Sequence, residues 1–294
     1  MTDSESTGRL FERPPQRRGV PGALCVCAVV FFVAGAGAAS WWLSRPERVN
    51  AAFHKLFHKN GQLTYNNTYW LGIAAQKCPL DMWVFQEILQ ETRPDVIVET
   101  GTFKGGSACF YASIFDLMKH GRVVTVDIED YKEKPRHPRI TYLLGSSTSE
   151  AILQQVRGSI QPGEKVMVFL DSDHHQAHVL NELGLYSPLV TPGQYLIVED
   201  THFNGHPILP KFGPGPWEAV EEFLRVNPDF VADRSRERFG LTFNPRGFLK
   251  RNASVSGTRG GTSFSLSRAV VGNGPDKLKL IPQGIQHLPE TEKQ

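Results

Sequence analysis

Residues 165–200 read KVMVFLDSDHHQAHVLNELGLYSPLVTPGQYLIVED. Two apolar runs, 165–170 and 194–199, bracket a stretch from about His174 to Tyr186 whose apolar residues recur at helical spacing. A strand, a helix and a second strand joined in this way form a βαβ unit with parallel strands. Both strands end in acids: Asp171 and Asp173 follow the first, and Glu199 and Asp200 close the second. Ligands of parallel α/β sheets bind outside the carboxyl ends of the strands, so four carboxylates fall where chemistry is expected. Like charges gathered there repel unless a cation or protons compensate, which points to Mg²⁺ or a similar hard ion with oxygen ligands.

The same alternation extends upstream. Val96 to Glu99 is an apolar strand followed by the turn Thr100-Gly101-Thr102-Phe103-Lys104-Gly105-Gly106-Ser107 and a helix near 106–119. Further strands are expected at 122–127 and 140–144, with a helix at 150–156. The fold class is therefore α/β, with a mostly parallel, doubly wound sheet. The Gly-rich turn brings backbone amides close to a ligand, or serves only to join strand and helix. It is neither G-x-G-x-x-G, since position 103 is Phe, nor a P-loop, which disfavours dinucleotides and triphosphates. Asp127, 26 residues beyond Gly101, can accept hydrogen bonds from ribose hydroxyls or cap a helix. Gly145-Ser146-Ser147 offers small residues beside an adenine edge, with Ser147 also a plausible helix cap.

From Asp95 to Arg251 the chain resembles the cephalosporin-hydroxylase-like, or rhamnosyl O-methyltransferase, family. The segments that carry the resemblance are VIVETGTFKGGS, VVTVDI, PGEKVMVFLDSDHHQAHVLNEL, GQYLIVEDT, PWEAVEEFL and GFLKR. Members are S-adenosylmethionine-dependent and are more distantly similar to catechol O-methyltransferase. The resemblance implies a Rossmann-like class I methyltransferase fold. It further implies that Glu99, Gly101, Phe103 and Ser107 form the cofactor-binding turn, that Asp127 holds the ribose, and that Gly145 and Ser147 lie beside adenine. Asp171, Glu199 and Asp200 fall on the metal ligands, with Asp173 a substitute, and His174 on the general base. Imidazole titrates near neutrality and suits that role. His174 and His178 with Asp171 spell an alternative iron or zinc site, and with it a hydroxylase reading. A third reading is a catalytically inactive fold that binds glycans. The stretch 201–216, rich in Gly and Pro, is either a lid that turns His202, Phe203, Phe212 and Trp217 to a sugar ring or a plain connection.

The remaining chain bounds the setting. With 32 Lys+Arg against 30 Asp+Glu the net charge is +2, which argues against a nucleic-acid partner. Four cysteines in 294 residues are too few for a disulfide scaffold. Residues 19–44 carry no charge, sit between Arg17-Arg18 and Arg45, and end near Trp41-Trp42. They are expected to span a membrane as a signal anchor after an N-terminal tail of residues 1–18, or to act as a cleaved signal peptide. Flanking positive charges balance and give no orientation, while the sequons at Asn66 and Asn252 favour a lumenal ER or Golgi domain over a cytosolic one. Residues 45–80 are read as a stem, 81–251 as the catalytic domain and 252–294 as a disordered tail. The expected activity is Mg²⁺-dependent O-methylation of a sugar, glycan or other vicinal diol; self-association into a homo-oligomer is compatible with the sequence.

Overall fold

The computed structural model describes residues 45–253. The expected membrane span, the N-terminal tail and all but the first residues of the C-terminal tail lie outside the described residues. Among the described residues no helix is long and apolar enough to cross a membrane.

Seven strands form one sheet in the order β5-β4-β3-β6-β7-β9-β8. They are β3 (Val96–Thr100), β4 (Arg122–Asp127), β5 (Ile140–Leu144), β6 (Val166–Leu170), β7 (Tyr195–Val198), β8 (Phe230–Ala232) and β9 (Phe248–Arg251). β3 to β7 pair in parallel, and β9 is antiparallel to both of its neighbours, so it alone runs in reverse. The five expected strands are present. β8 and β9, which the periodicity left unassigned, complete the sheet on the β7 side.

Successive side chains of a strand point to opposite faces, and each face has its own core. Val96, Val98, Val124, Val126, Val166 and Val168 face one way. They pack under α4 (Glu150–Gly158), α5 (Gln176–Tyr186) and α6 (Pro216–Val226). Ile97, Val123, Met167, Phe169 and Ile197 face the other way, where Phe85, Phe110, Tyr111 and Phe115 cover them. Those aromatics come from α2 (Pro79–Thr92) and α3 (Gly106–Met118). Pairing with both faces covered explains why β3 and β6 are buried along their whole length.

Register aligns the strand ends. The N–H of Gly101 bonds Val126 O at 2.8 Å, that of Asp171 bonds Thr100 O at 3.0 Å, and that of Glu199 bonds Leu170 O at 2.9 Å. Gly101, Asp171 and Glu199 are thereby brought side by side.

The segment expected as a stem is instead part of the domain. It begins with α1 (Pro46–Lys59) and continues to a short hairpin, β1 (Tyr69–Trp70) with β2 (Ile73–Ala74). Its rings pack on the far end of the chain, His54 on Phe243 at 5.7 Å and Tyr65 on Phe243 at 5.4 Å. Phe243 is fixed in turn by α2, where Asp81 accepts its backbone N–H at 2.8 Å. Polar surroundings and scattered apolar residues hid this packing from a periodicity argument.

Asp81 is buried, and desolvation raises its pKa from 3.8 to about 7. The unfolded chain releases this proton near pH 3.8 and the folded chain near 7, so the group's contribution to stability falls as pH rises between them and then levels. Asp81→Asn removes that dependence. In urea unfolding, the stability of the wild type relative to the variant is expected to decline from pH 4 to 7 by on the order of 2–4 kcal/mol. A difference that stays constant or grows would contradict the assignment.

Candidate active site

The first half of the site is the turn after β3. Gly101 has φ +84°, and a Cβ on it would lie 1.9 Å from the carbonyl oxygen of Asp171. Only glycine lets the turn lie this close to the β6 end. Phe103 also has positive φ, +48°, and its N–H donates to Asp127 Oδ2 at 2.7 Å. Asp127 Oδ1 accepts the N–H of Glu129 at 2.9 Å, so the carboxylate is fixed between two loops with lone pairs to spare. Gly105, at φ +80°, opens α3, and Ser107 in its first turn is buried beside Glu99. Gly145 follows β5, where a Cβ would press on Ile152 at 2.7 Å, and its N–H bonds Asp127 O at 2.8 Å. Ser147 is buried, its carbonyl accepting from Tyr186 Oη at 2.7 Å. The residues expected around a nucleoside thus stand along one sheet edge.

Glu99 lies beneath them, fully buried. Thr125 Oγ1 donates to its Oε2 at 2.6 Å, while Oε1 has no protein partner. Desolvation raises its pKa to about 7 against the opposing pull of Lys77.

The second half is ionic. Among the described residues, Asp171, His174 and Asp200 bring ligand atoms within 4.8 Å of one another. His174 Nε2 is 3.2 Å from Asp200 Oδ2, and His202 Nε2 is 3.1 Å from Asp200 Oδ1. Asp200 holds a left-handed conformation, φ +57°, a strained state for a non-glycine residue that its surroundings impose. Its N–H donates to Asn244 Oδ1 at 3.0 Å. Burial opposes ionisation of Asp200, but His174 and His202 outweigh it and hold its carboxyl well below the usual range.

Glu199 reaches a different partner. Its Oε2 lies 2.8 Å from Lys77 Nζ, which also pairs with Asp171. Burial would lower the Lys77 pKa, but Asp171, Glu199 and Glu99 more than offset it, so the ammonium stays charged. Desolvation pushes Glu199 well above the usual carboxylate range, and its Oε1 is buried with no protein partner.

Lys77 is the functional-site residue that sequence reasoning missed. It stands 94 residues before Asp171 in a segment read as a stem, with no local pattern marking it. Two expectations are corrected. Asp173 does not join the cluster; its Oδ1 accepts the His175 N–H at 2.8 Å and contacts His175 Nδ1 at 2.6 Å, shaping the turn ahead of α5. His178 does not face Asp171 with His174; its Nε2 lies 3.1 Å from Ser172 Oγ and 3.5 Å from Glu182 Oε1. The iron or zinc grouping built on His174 and His178 is therefore not formed.

The connection 201–215 is ordered over this edge. Glu218 ties it down through Asn204 Nδ2 at 2.9 Å, His206 Nε2 at 3.1 Å and the Gly215 N–H at 2.7 Å. Phe203 sets its ring 5.2 Å from that of His174, with Phe212 a further 5.0 Å beyond. Trp217 stacks on His206 at 4.2 Å.

The donor set suits a hard divalent cation: two carboxylates and an imidazole converge, with Glu199 Oε1 beside them lacking a partner. A Gly-rich turn lying against such a cluster, with an acid at the end of the next strand, on a mostly parallel sheet flanked by helices, fits a Rossmann-like methyltransferase. Residues 62–252 match the family described as Rhamnosyl O-methyltransferase/CmcI, and the chain belongs to that family. It is 42% identical over 222 residues to a rhamnosyl O-methyltransferase of Mycobacterium leprae, covering 72% of this chain and 95% of the relative. The rhamnosyl O-methyltransferase of Mycobacterium tuberculosis H37Rv is also 42% identical, over 70% of this chain and 86% of its own. Among solved structures, CmcI D160 with Mg and SAM aligns at TM-score 0.51 and 21% identity, covering 64% of this chain and 78% of that one. The apo CmcI N160 structure gives 0.50 and 22% over the same shares. These last two bear on the fold alone.

Lys77→Met leaves Asp171 and Glu199 buried without their counter-charge, a loss worth about 3–5 kcal/mol. In EDTA the variant is expected to melt well below the wild type, and saturating Mg²⁺ to raise its Tm more than it raises the wild type's. Equal melting temperatures in EDTA would show that the ammonium is not what compensates these acids.

Proposed function

We propose that this chain is an S-adenosylmethionine-dependent, divalent-cation-dependent O-methyltransferase acting on a sugar hydroxyl, with a deoxyhexose such as rhamnose as the acceptor class. The observation that carries the reading is the direct contact of the two half-sites, the Gly101 turn lying against the backbone of Asp171. A methyl donor and a hydroxyl placed on these two halves would be neighbours, as in-line transfer demands. The orphaned oxygens of Glu99 and Glu199 support it, since buried polar atoms rarely go without partners.

S-adenosylmethionine, when bound, supplies a methyl group on a sulfonium, and a divalent cation supplies charge that favours the ionised form of a hydroxyl. The residues of this chain do the rest. Asp127 and the Gly101–Phe103 turn orient the nucleoside. Asp171, Asp200 and Glu199 would hold the cation. His174 takes the hydroxyl proton on the ring nitrogen not turned to Asp200 as the C–O bond forms and the C–S bond breaks, and Asp200 Oδ2, 3.2 Å from Nε2, stabilises the imidazolium. Phe203 and Phe212, half-buried beside His174, offer an apolar surface to the C–H face and methyl group of a deoxy sugar.

The proposal includes residues 19–44 as a signal anchor that places the domain in the ER or Golgi lumen. In support, Asn252 of the second sequon is exposed. Endoglycosidase treatment of protein from a eukaryotic host is expected to increase its gel mobility; no change would favour a cytosolic domain.

For the activity, calorimetry is expected to show S-adenosylmethionine binding to the purified protein, and mass spectrometry a +CH₂ product on rhamnosides with Mg²⁺ present. His174→Ala is expected to slow turnover by about 10²–10⁴-fold with donor binding retained. Absence of donor binding in the wild type would overturn the assignment.

A further inference from the structure

His54, on α1 of the lead-in, is buried 148 residues away in sequence from the group it touches, His202. Its Nε2 lies 2.7 Å from His202 Nδ1. The other nitrogen of His202, Nε2, lies 3.1 Å from Asp200 Oδ1. Asp200 Oδ2 is 3.2 Å from His174 Nε2. One hydrogen-bonded line therefore runs from the lead-in to the acidic cluster.

The direction of that line follows from its end. A carboxylate only accepts, so His202 Nε2 carries the hydrogen it donates to Asp200. The 2.7 Å separation between His54 Nε2 and His202 Nδ1 holds a single hydrogen, and both rings are buried. With Nε2 committed to Asp200, the His202 ring turns Nδ1 to His54, and at 1% exposure it has no access to water. His54 is the group placed to donate to it, from its own Nε2. The His202 backbone is fixed independently through its N–H to Phe243 O at 3.1 Å, so His54 acts on the ring.

We propose that His54 is a positioning residue for Asp200: it donates to His202 Nδ1, commits His202 Nε2–H to Asp200 Oδ1, and so leaves Oδ2 turned to His174 and the cation position. This rests on the divalent-cation reading above. Groups that fix a ligating carboxylate or imidazole from behind set metal affinity, and losing one costs roughly 10–100-fold. Without the donor, a buried ring nitrogen is left unsatisfied and the His202 ring loses what holds its orientation.

Two substitutions of nearly equal shape separate hydrogen bonding from packing. His54→Gln keeps an Nε2–H donor of similar reach, and His54→Met has none. In full-chain protein, Mn²⁺ binding is read by electron paramagnetic resonance, with folding checked by far-UV circular dichroism. The Met variant is expected to bind Mn²⁺ at least about tenfold more weakly than the wild type, and the Gln variant within about threefold of it. In the wild type, ¹⁵N chemical shifts are expected to show His202 protonated on Nε2 and bare on Nδ1, a readout that needs no variant. Unchanged affinity in the Met variant, equal weakening in both, or the opposite tautomer overturns the proposal while leaving the cation reading intact. Failure of the wild type to take up Mn²⁺ overturns both.

Discussion

The constraint on which this site depends is charge crowding at the ends of three adjacent strands. Register alone sets Glu99, Asp171 and Glu199 beside one another, with Asp200 next in the chain. Buried carboxylates in such proximity cannot all ionise without compensation. The protein meets the demand asymmetrically. On one side Lys77 reaches Asp171 and Glu199; on the other, His174 and His202 hold Asp200 ionised. What a cation would add is charge at the middle of an arrangement that an ammonium compensates on one flank and imidazoles hydrogen-bond on the other. The oxygens left without partners, on Glu99 and Glu199, lie on the Lys77 side.

The division also explains where the strain sits. Asp200 is the residue between the histidine side and the lysine side, and among the clustered acids and histidines it is the one in a left-handed conformation. An extended residue would continue the direction of β7. The turn instead lets the backbone N–H find Asn244 while both carboxylate oxygens meet imidazoles. The cost of one awkward residue, of order 1–3 kcal/mol, is met by three hydrogen-bonding partners.

Much of this was legible in the chain. Apolar runs ending in acids are a local signal, and Asp127, Asp171, Glu199 and Asp200 could be placed by strand periodicity alone. Gly101 could be placed because only a residue without Cβ suits a tight strand-to-helix turn. Lys77, His54 and Asn244 could not, because each matters through a partner 44 to 148 residues away and none sits in a periodic run. Asp173 misled for the opposite reason. It looks like its neighbours in sequence, yet side chains two apart in a turn need not share a direction, and it bonds its own loop. β8 has only three residues, and β9 ends in Lys250 and Arg251, so neither presents the continuous apolar run that marked the other strands.

At the start of α3, Gly106 lies against the lead-in hairpin so closely that a Cβ there would be 2.3 Å from the carbonyl oxygen of Ala74. The hairpin and the cofactor turn are therefore made together, while α1 and α2 wait for Phe243, near the end of the domain, to pack on them. A chain emerging from the ribosome can pair its central strands early, but its catalytic edge has to wait for contacts spanning some 160 residues. Until then the early segment presents its apolar surface and its buried-to-be lysine to solvent. Nascent-chain handling, as much as the finished active site, is thus part of what the packing of α1 and α2 on Phe243 demands.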